Sequence, residues 1–147
     1  MRPFWRRDPL ALLGTGVWRR AHDRFRRAVD RYHQMLEQVP VGPAREALEV
    51  EGARLGAALD RVLVTCRSGQ LAWPSAAFDI PPAAGAVHRA LSRAATSAAQ
   101  ASESAAMARV AARAGDAETA AARAQSAGRA VAESLAWVAT AETALPA

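Results

Sequence analysis

Between Trp18 and Val39 the apolar positions Trp18, Ala21, Phe25, Ala28, Tyr32, Met35 and Val39 recur at alternating spacings of three and four. At about 100° per residue these fall along one side of an α-helix, so the pattern predicts an amphipathic first helix over 18–39 with a core-facing seam. Pro40 to Pro43 ends it, because proline cannot continue the hydrogen-bond ladder and glycine admits a reversal. A second seam, Leu48, Gly52, Leu55, Leu59, Val62 and Cys66, predicts a helix over about 44–66. Gly52 on that seam leaves room for another helix to approach closely. Glu46, Glu49 and Glu51 stand in its first turns, where the helix dipole favours negative charge. The two helices form an antiparallel hairpin.

Residues 67–82, RSGQLAWPSAAFDIPP, hold three prolines, yet Leu71, Trp73, Phe78 and Ile80 are too apolar for a solvated linker. The expectation is a strap across the open end of the core, burying these four side chains, with a partner-binding loop as the functional alternative. From 83 onward alanine supplies 28 of 65 residues, and Gly115-Asp116 reads as a helix stop followed by an N-cap. Helices over about 83–114 and 117–145 follow as a second hairpin. Its bulky residues are polarised: Val87 and Leu91 open one helix while Val131, Leu135, Trp137 and Val138 close the other. Its turn end, nearly all alanine, is expected to be slender and to project beyond the first hairpin.

The fold expected is therefore all-α, an antiparallel four-helix bundle of two helical hairpins, the second alanine-rich and elongated. A single domain spans 1–147: a basic and apolar segment over 1–17, hairpin one over 18–66, the strap over 67–82 and hairpin two over 83–147. Within 1–17, Asp8-Pro9 is a favourable helix start, but Gly14 and Gly16 oppose continuity with the first helix. The segment is read as a loop folding back on the bundle. Were it helical, Leu12 would fall opposite the seam and, with Phe4 and Trp5, would need another partner.

Composition sharpens the picture of the core. Of the 147 residues 39 are alanine, while Leu, Ile, Val and Phe together number 27, so large apolar side chains are scarce. Alanine is the best helix former, and the later half must rely on close backbone approach rather than on bulk. All 19 basic residues are arginine, and neither lysine nor asparagine occurs, as a strongly GC-rich genome would produce. Residues 1–39 carry nine arginines against Asp8, Asp23, Asp30 and Glu37, which is the whole +5 net charge of the chain. Cys66 is the single cysteine, so no internal disulfide can form and a cytoplasmic setting is expected. No run is long and apolar enough to span a bilayer, and the start of the chain lacks a signal-peptide cleavage pattern.

Catalytic constellations fare badly. Gly14-Thr15-Gly16 is half of a dinucleotide loop, but Arg19 stands at the third glycine position and no strand precedes it. No GxSxG, HExxH or CxxC occurs. Asp30 and His33 have the spacing of a di-iron pair, but both are read as pointing away from the seam and no second pair exists; His22 and His33 are about 16 Å apart along a helix. Cys66 reads as a small buried hydrophobe. The chain is expected to be non-enzymatic, with no cofactor, no metal and no small-molecule substrate.

The sharpest feature is a column of arginines. Arg20, Arg24, Arg27 and Arg31 recur at four, three and four, stacking their guanidinium groups about a quarter-turn from the seam, whereas Arg19, Asp23, Arg26 and Asp30 alternate in sign and neutralise one another. Asp23 and Asp30 can reach Arg27, and the column reads either as a solvated helix face or as the candidate site for an anionic partner. Three functions suit it. The first is an interaction or scaffold protein that binds an acidic protein, or a second copy of itself through the Ala/Ser face from Ala94 to Ala106. The second is peripheral docking on an anionic membrane through Phe4, Trp5, Arg6, Arg7 and Leu12. The third, nucleic-acid binding, has no recognition motif behind it.

Overall fold

The computed structural model describes residues 8–147, all-helical in this span and built on four long helices: α1 (Val17–Glu37), α2 (Pro43–Ala72), α3 (Gly85–Arg113) and α4 (Ala117–Thr143). Phe4, Trp5, Arg6 and Arg7 lie outside the described residues. The helices form an up-down-up-down bundle in which α1 and α4 each pack on both α2 and α3. Contacts of Arg24 with Thr96, Ala28 with Ser102 and Gln38 with Arg113 advance together along α1 and α3, so these two run parallel. The 73–84 strap thus crosses the end of the bundle from α2 to the diagonally placed α3.

The seam of α1 is buried as its spacing predicts, but over a wider arc. Trp18, Phe25, Ala28, Tyr32 and Val39 are buried, joined by His22, Val29 and Leu36, while Ala21 and Met35 sit at the rim. A helix that packs on two neighbours buries a broader stripe than a single seam. Tyr32 donates its hydroxyl to Leu48 O at 2.6 Å, and the close approach expected at Gly52 is made by Tyr32 and His33. His33 is therefore half-buried against α2 rather than turned away from the seam.

Helix α2 continues six residues beyond its expected end, through Gly69, to stop just before Pro74. A Cβ at Gly69 would lie 2.8 Å from three atoms of the Trp18 indole, so this glycine is a seat for a ring and not a helix breaker. Trp18 also stacks on Trp73, with centroids 6.2 Å apart, and donates Nε1–H to Trp73 O at 2.9 Å. Asp8 and Pro9 do start a helical turn, but it is a short 3-10 turn over Pro9–Leu13, cut off from α1 at Gly14 and Gly16. Both glycines abut Ser75, whose Oγ accepts from Val17 N at the buried start of α1, satisfying one of the free N–H groups of its first turn.

The strap corrects the expectation of four buried apolar groups. Trp73 is half-buried, but Leu71 is 85% exposed, Phe78 82% and Ile80 42%. The strap is held instead by polar bonds: Ser75 N to Gln70 Oε1, Ser75 Oγ to Ala77 O, and Arg20 to Ala77 O.

The second hairpin turns as predicted. Gly115 has φ +76°, Asp116 N reaches back to Ala111 O and Gly115 N to Ala112 O, and the Asp116 carboxylate accepts from Thr119 N to begin α4. The turn does not project, because Arg109 and Arg113 both bond Gln38 and hold it level with the Pro40–Pro43 loop. Val87, Leu91, Val131 and Val138 are buried together in one core with the alanines of α3 and α4. The Ala/Ser face is consumed inside the chain: Ala94, Ala95, Ser97, Ala98, Ala101, Ser102 and Ala105 are buried. Ser102 donates to Ala28 O of α1 at 2.9 Å, and Ser134 of α4 donates to Ala94 O at 2.8 Å. It is not a free surface for a second copy.

Two substitutions probe this packing. Phe25→Ala is expected to cost about 3–5 kcal/mol, read as a lower midpoint in denaturant unfolding, since the ring is fully buried in the core. Gly69→Ala is expected to cost about 1–3 kcal/mol by overpacking. Combined with Trp18→Leu, it is expected to cost less than it does alone, whereas simple additivity would show that the Trp18 ring is not what requires the glycine.

Candidate functional site

The arginine column starts from the phase of α1. Because Trp18, Phe25 and Tyr32 fix which side of the helix faces inward, Arg20, Arg24, Arg27 and Arg31 are carried to the edge that borders α3. There they separate into two groups. Arg20 is half-buried and committed to the strap: its guanidinium lies 3.9 Å above the Phe78 ring and donates to Ala77 O. Arg24, Arg27 and Arg31 are exposed, and among the described residues none of them forms an ion pair. Arg24 touches α3 through Thr96 Oγ1 at 3.2 Å. Arg27 and Arg31 flank Asp30 beside Gln34 and Met35.

Of the acids near this edge Asp23 is engaged, while Asp30, between Arg27 and Arg31, and Glu103 of α3 are exposed without an ion pair among the described residues. Asp23 holds Arg19 at 3.1 Å and His22 Nδ1 at 3.1 Å. Its burial would raise the carboxyl pKa, but the hydrogen bonds from His22 and Arg19 outweigh this and keep it below the ordinary value. Of the alternating set Arg19, Asp23, Arg26 and Asp30, only the first two pair. Arg31 also borders a hollow floored by Met107 and Val110, 50% and 61% exposed, with Arg109, Arg123 and Glu103 around it. Met107 and Val110 stand out in the sequence as the bulky exceptions in an alanine-rich end, which was the available signal for that hollow.

His88 joins the edge from α3, and its placement beside α1 has no local sequence signal. It is half-buried, and burial first, then the charges of Arg20 and Arg24, hold its pKa below the ordinary histidine value.

Cys66 is fully buried, and burial, with a smaller contribution from the Asp23 charge, pushes its thiol up to about 12, so no thiolate forms near neutral pH. Among the described residues no group of three or more His, Cys, Asp or Glu side chains converges as a metal site, and no helix is long and apolar enough to cross a membrane. The arrangement suits the binding of an anionic group through exposed, permanently charged forks. Of the expected contact residues near the start of the chain, Leu12 is 41% exposed while its neighbour Leu13 is buried. No protein family, curated protein or solved structure matches this chain.

The pKa of His88 fixes the sign of a pH effect. A histidine with a folded-state pKa below its unfolded value near 6.5 leaves stability intact above that pH, and stability falls as pH drops below it, because the unfolded chain binds the proton more readily. The melting temperature is expected to decline between about pH 7 and 5, and His88→Gln to flatten that decline. In an NMR titration, Arg20→Gln with Arg24→Gln is expected to move the His88 pKa upward; an unchanged value would show that the two arginines do not act on it.

Proposed function

We propose that this chain is a non-enzymatic binding protein whose α1 edge, Arg24, Arg27 and Arg31, engages an acidic segment of a protein partner. The observation that carries this is three exposed guanidinium groups within two turns of one helix, none of them ion-paired among the described residues, while Arg19, Arg45, Arg54 and Arg61 each hold a carboxylate. Unpaired arginines at helical spacing match carboxylates at similar spacing on a partner helix or strand. The small-residue face once available for self-association is covered by α1 and α4, so the reading rests on the arginines and not on a second copy. The neighbouring hollow over Met107 and Val110 gives such a segment an apolar contact beside Arg31.

A fluorescent polyglutamate peptide tests the reading by anisotropy. Binding is expected to weaken with salt, and to weaken roughly tenfold in the Arg24→Gln, Arg27→Gln, Arg31→Gln variant, as expected for three exposed ion pairs of about 0.2–1 kcal/mol each. The variant is expected to melt with the native chain, since these groups contribute little to packing. Equal binding by the variant, or tighter retention of duplex DNA than of the peptide at matched salt, overturns it.

A further inference from the structure

At the strap end of the bundle, four large apolar side chains face outward from three separate segments: Leu12 of the 3-10 turn, Leu71 of the last turn of α2, and Phe78 and Ile80 of the strap. Their neighbours Leu13, Trp73 and Ser75 are fastened inward, so the segments are anchored while these side chains are not covered. Each of the two most exposed has an arginine at hand. Arg67 is four residues before Leu71 on the same face of α2, and Arg20 lies over Phe78.

Charge is divided along the bundle in the same sense. The half containing the strap (residues 8–26, 58–98 and 131–147) carries net +2, while the half containing the two tight turns is neutral. Of the six acids in that half three are engaged: Asp8 accepts from Leu10 N, Asp23 pairs with Arg19, and Glu142 with Arg61. Asp60, Asp79 and Glu133 are exposed without such a partner among the described residues. The hollows between helices open in the neutral half, lined by Pro43, Ala44, Ala121 and Met107 among others. The strap end therefore offers protruding apolar groups on a half of the bundle with a small net positive charge, not a groove for a helix.

We infer that the strap end docks reversibly on an anionic lipid surface, with Leu71, Phe78, Ile80 and Leu12 entering the headgroup region and Arg67 meeting lipid phosphates. Isolated apolar side chains on a half with a small net positive charge match the layered chemistry of a bilayer interface, which is apolar below and anionic above. The acidic-partner edge of α1 lies along the side of the bundle and stays accessible when the end is docked.

The test is flotation of the full chain with phosphatidylglycerol-containing vesicles and with pure phosphatidylcholine vesicles. The native chain is expected to float with the anionic vesicles and not with the neutral ones. The Leu71→Ser, Phe78→Ser, Ile80→Ser variant is expected to lose about tenfold in bound fraction while melting with the native chain, because its altered groups are exposed. Asp79→Asn is expected to increase binding by removing a repulsive charge. Arg27→Gln with Arg31→Gln, in the neutral half, is expected to leave flotation unchanged, which separates this site from the acidic-peptide site. No flotation by the native chain, flotation undiminished in the serine variant, or loss in the Arg27 and Arg31 variant overturns the inference.

Discussion

The Trp18 ring, pressed onto Gly69 and stacked on Trp73, is the contact on which the strap end of this bundle depends. It is the largest fully buried side chain in the described residues, and it touches the end of α2 and the beginning of the strap at once. Its N–H finds Trp73 O, so the indole is satisfied as well as buried. Because the ring occupies the space where a Cβ would stand, α2 carries glycine there, and because α2 remains helical to Ala72, the strap begins at Trp73, just before its first proline, and not at residue 67. The placement of Ser75 over Gly14 and Gly16, and of Phe78 under Arg20, follows from that starting point.

Away from this end the core is made of small residues, and its cohesion has a different source. Alanines of α3 and α4 bury little area each, so helices must approach closely to gain enough contact. Close approach brings backbone carbonyls within reach of short hydroxyls. Ser102 and Ser134 each donate across a helix interface, to Ala28 O and Ala94 O, converting polar groups that would be costly to bury into inter-helix bonds. The same closeness explains why the Ala/Ser face is covered: only a neighbour in the same chain, held at both ends by turns, was needed to use it.

What was legible in the sequence follows from which side chains carried the signal. The periodic large residues of α1 and the paired glycine and aspartate at 115 and 116 located helices and turns well, since period and cap chemistry are local properties. The end of α2 was not legible, because Gly69 looks like a breaker until a distant tryptophan is seen to sit on it. The strap misled for a related reason: its apolar residues suggested burial, whereas its anchoring is done by Ser75, Gln70 and backbone carbonyls, which carry no periodic mark. At the candidate edge the direction of Arg24, Arg27 and Arg31 was readable, but the diversion of Arg20 to Phe78 and the nearness of His88 required the tertiary arrangement.

The core and the arginine edge are tied together by a single geometric constraint. On a helix the angular offset between two columns is set by their sequence positions, so once Trp18, Phe25 and Tyr32 are buried, the arginines a quarter-turn away have no freedom to turn inward. Their exposure is then a consequence of folding and not of any interaction the arginines make. What makes the edge available for binding is the character of α3 beside it, where Thr96, Ala99 and Glu103 line the exposed side and supply a hydroxyl, a methyl and a single carboxylate. A second acid on that stretch of α3, at helical spacing from Glu103, would have closed the column into internal ion pairs.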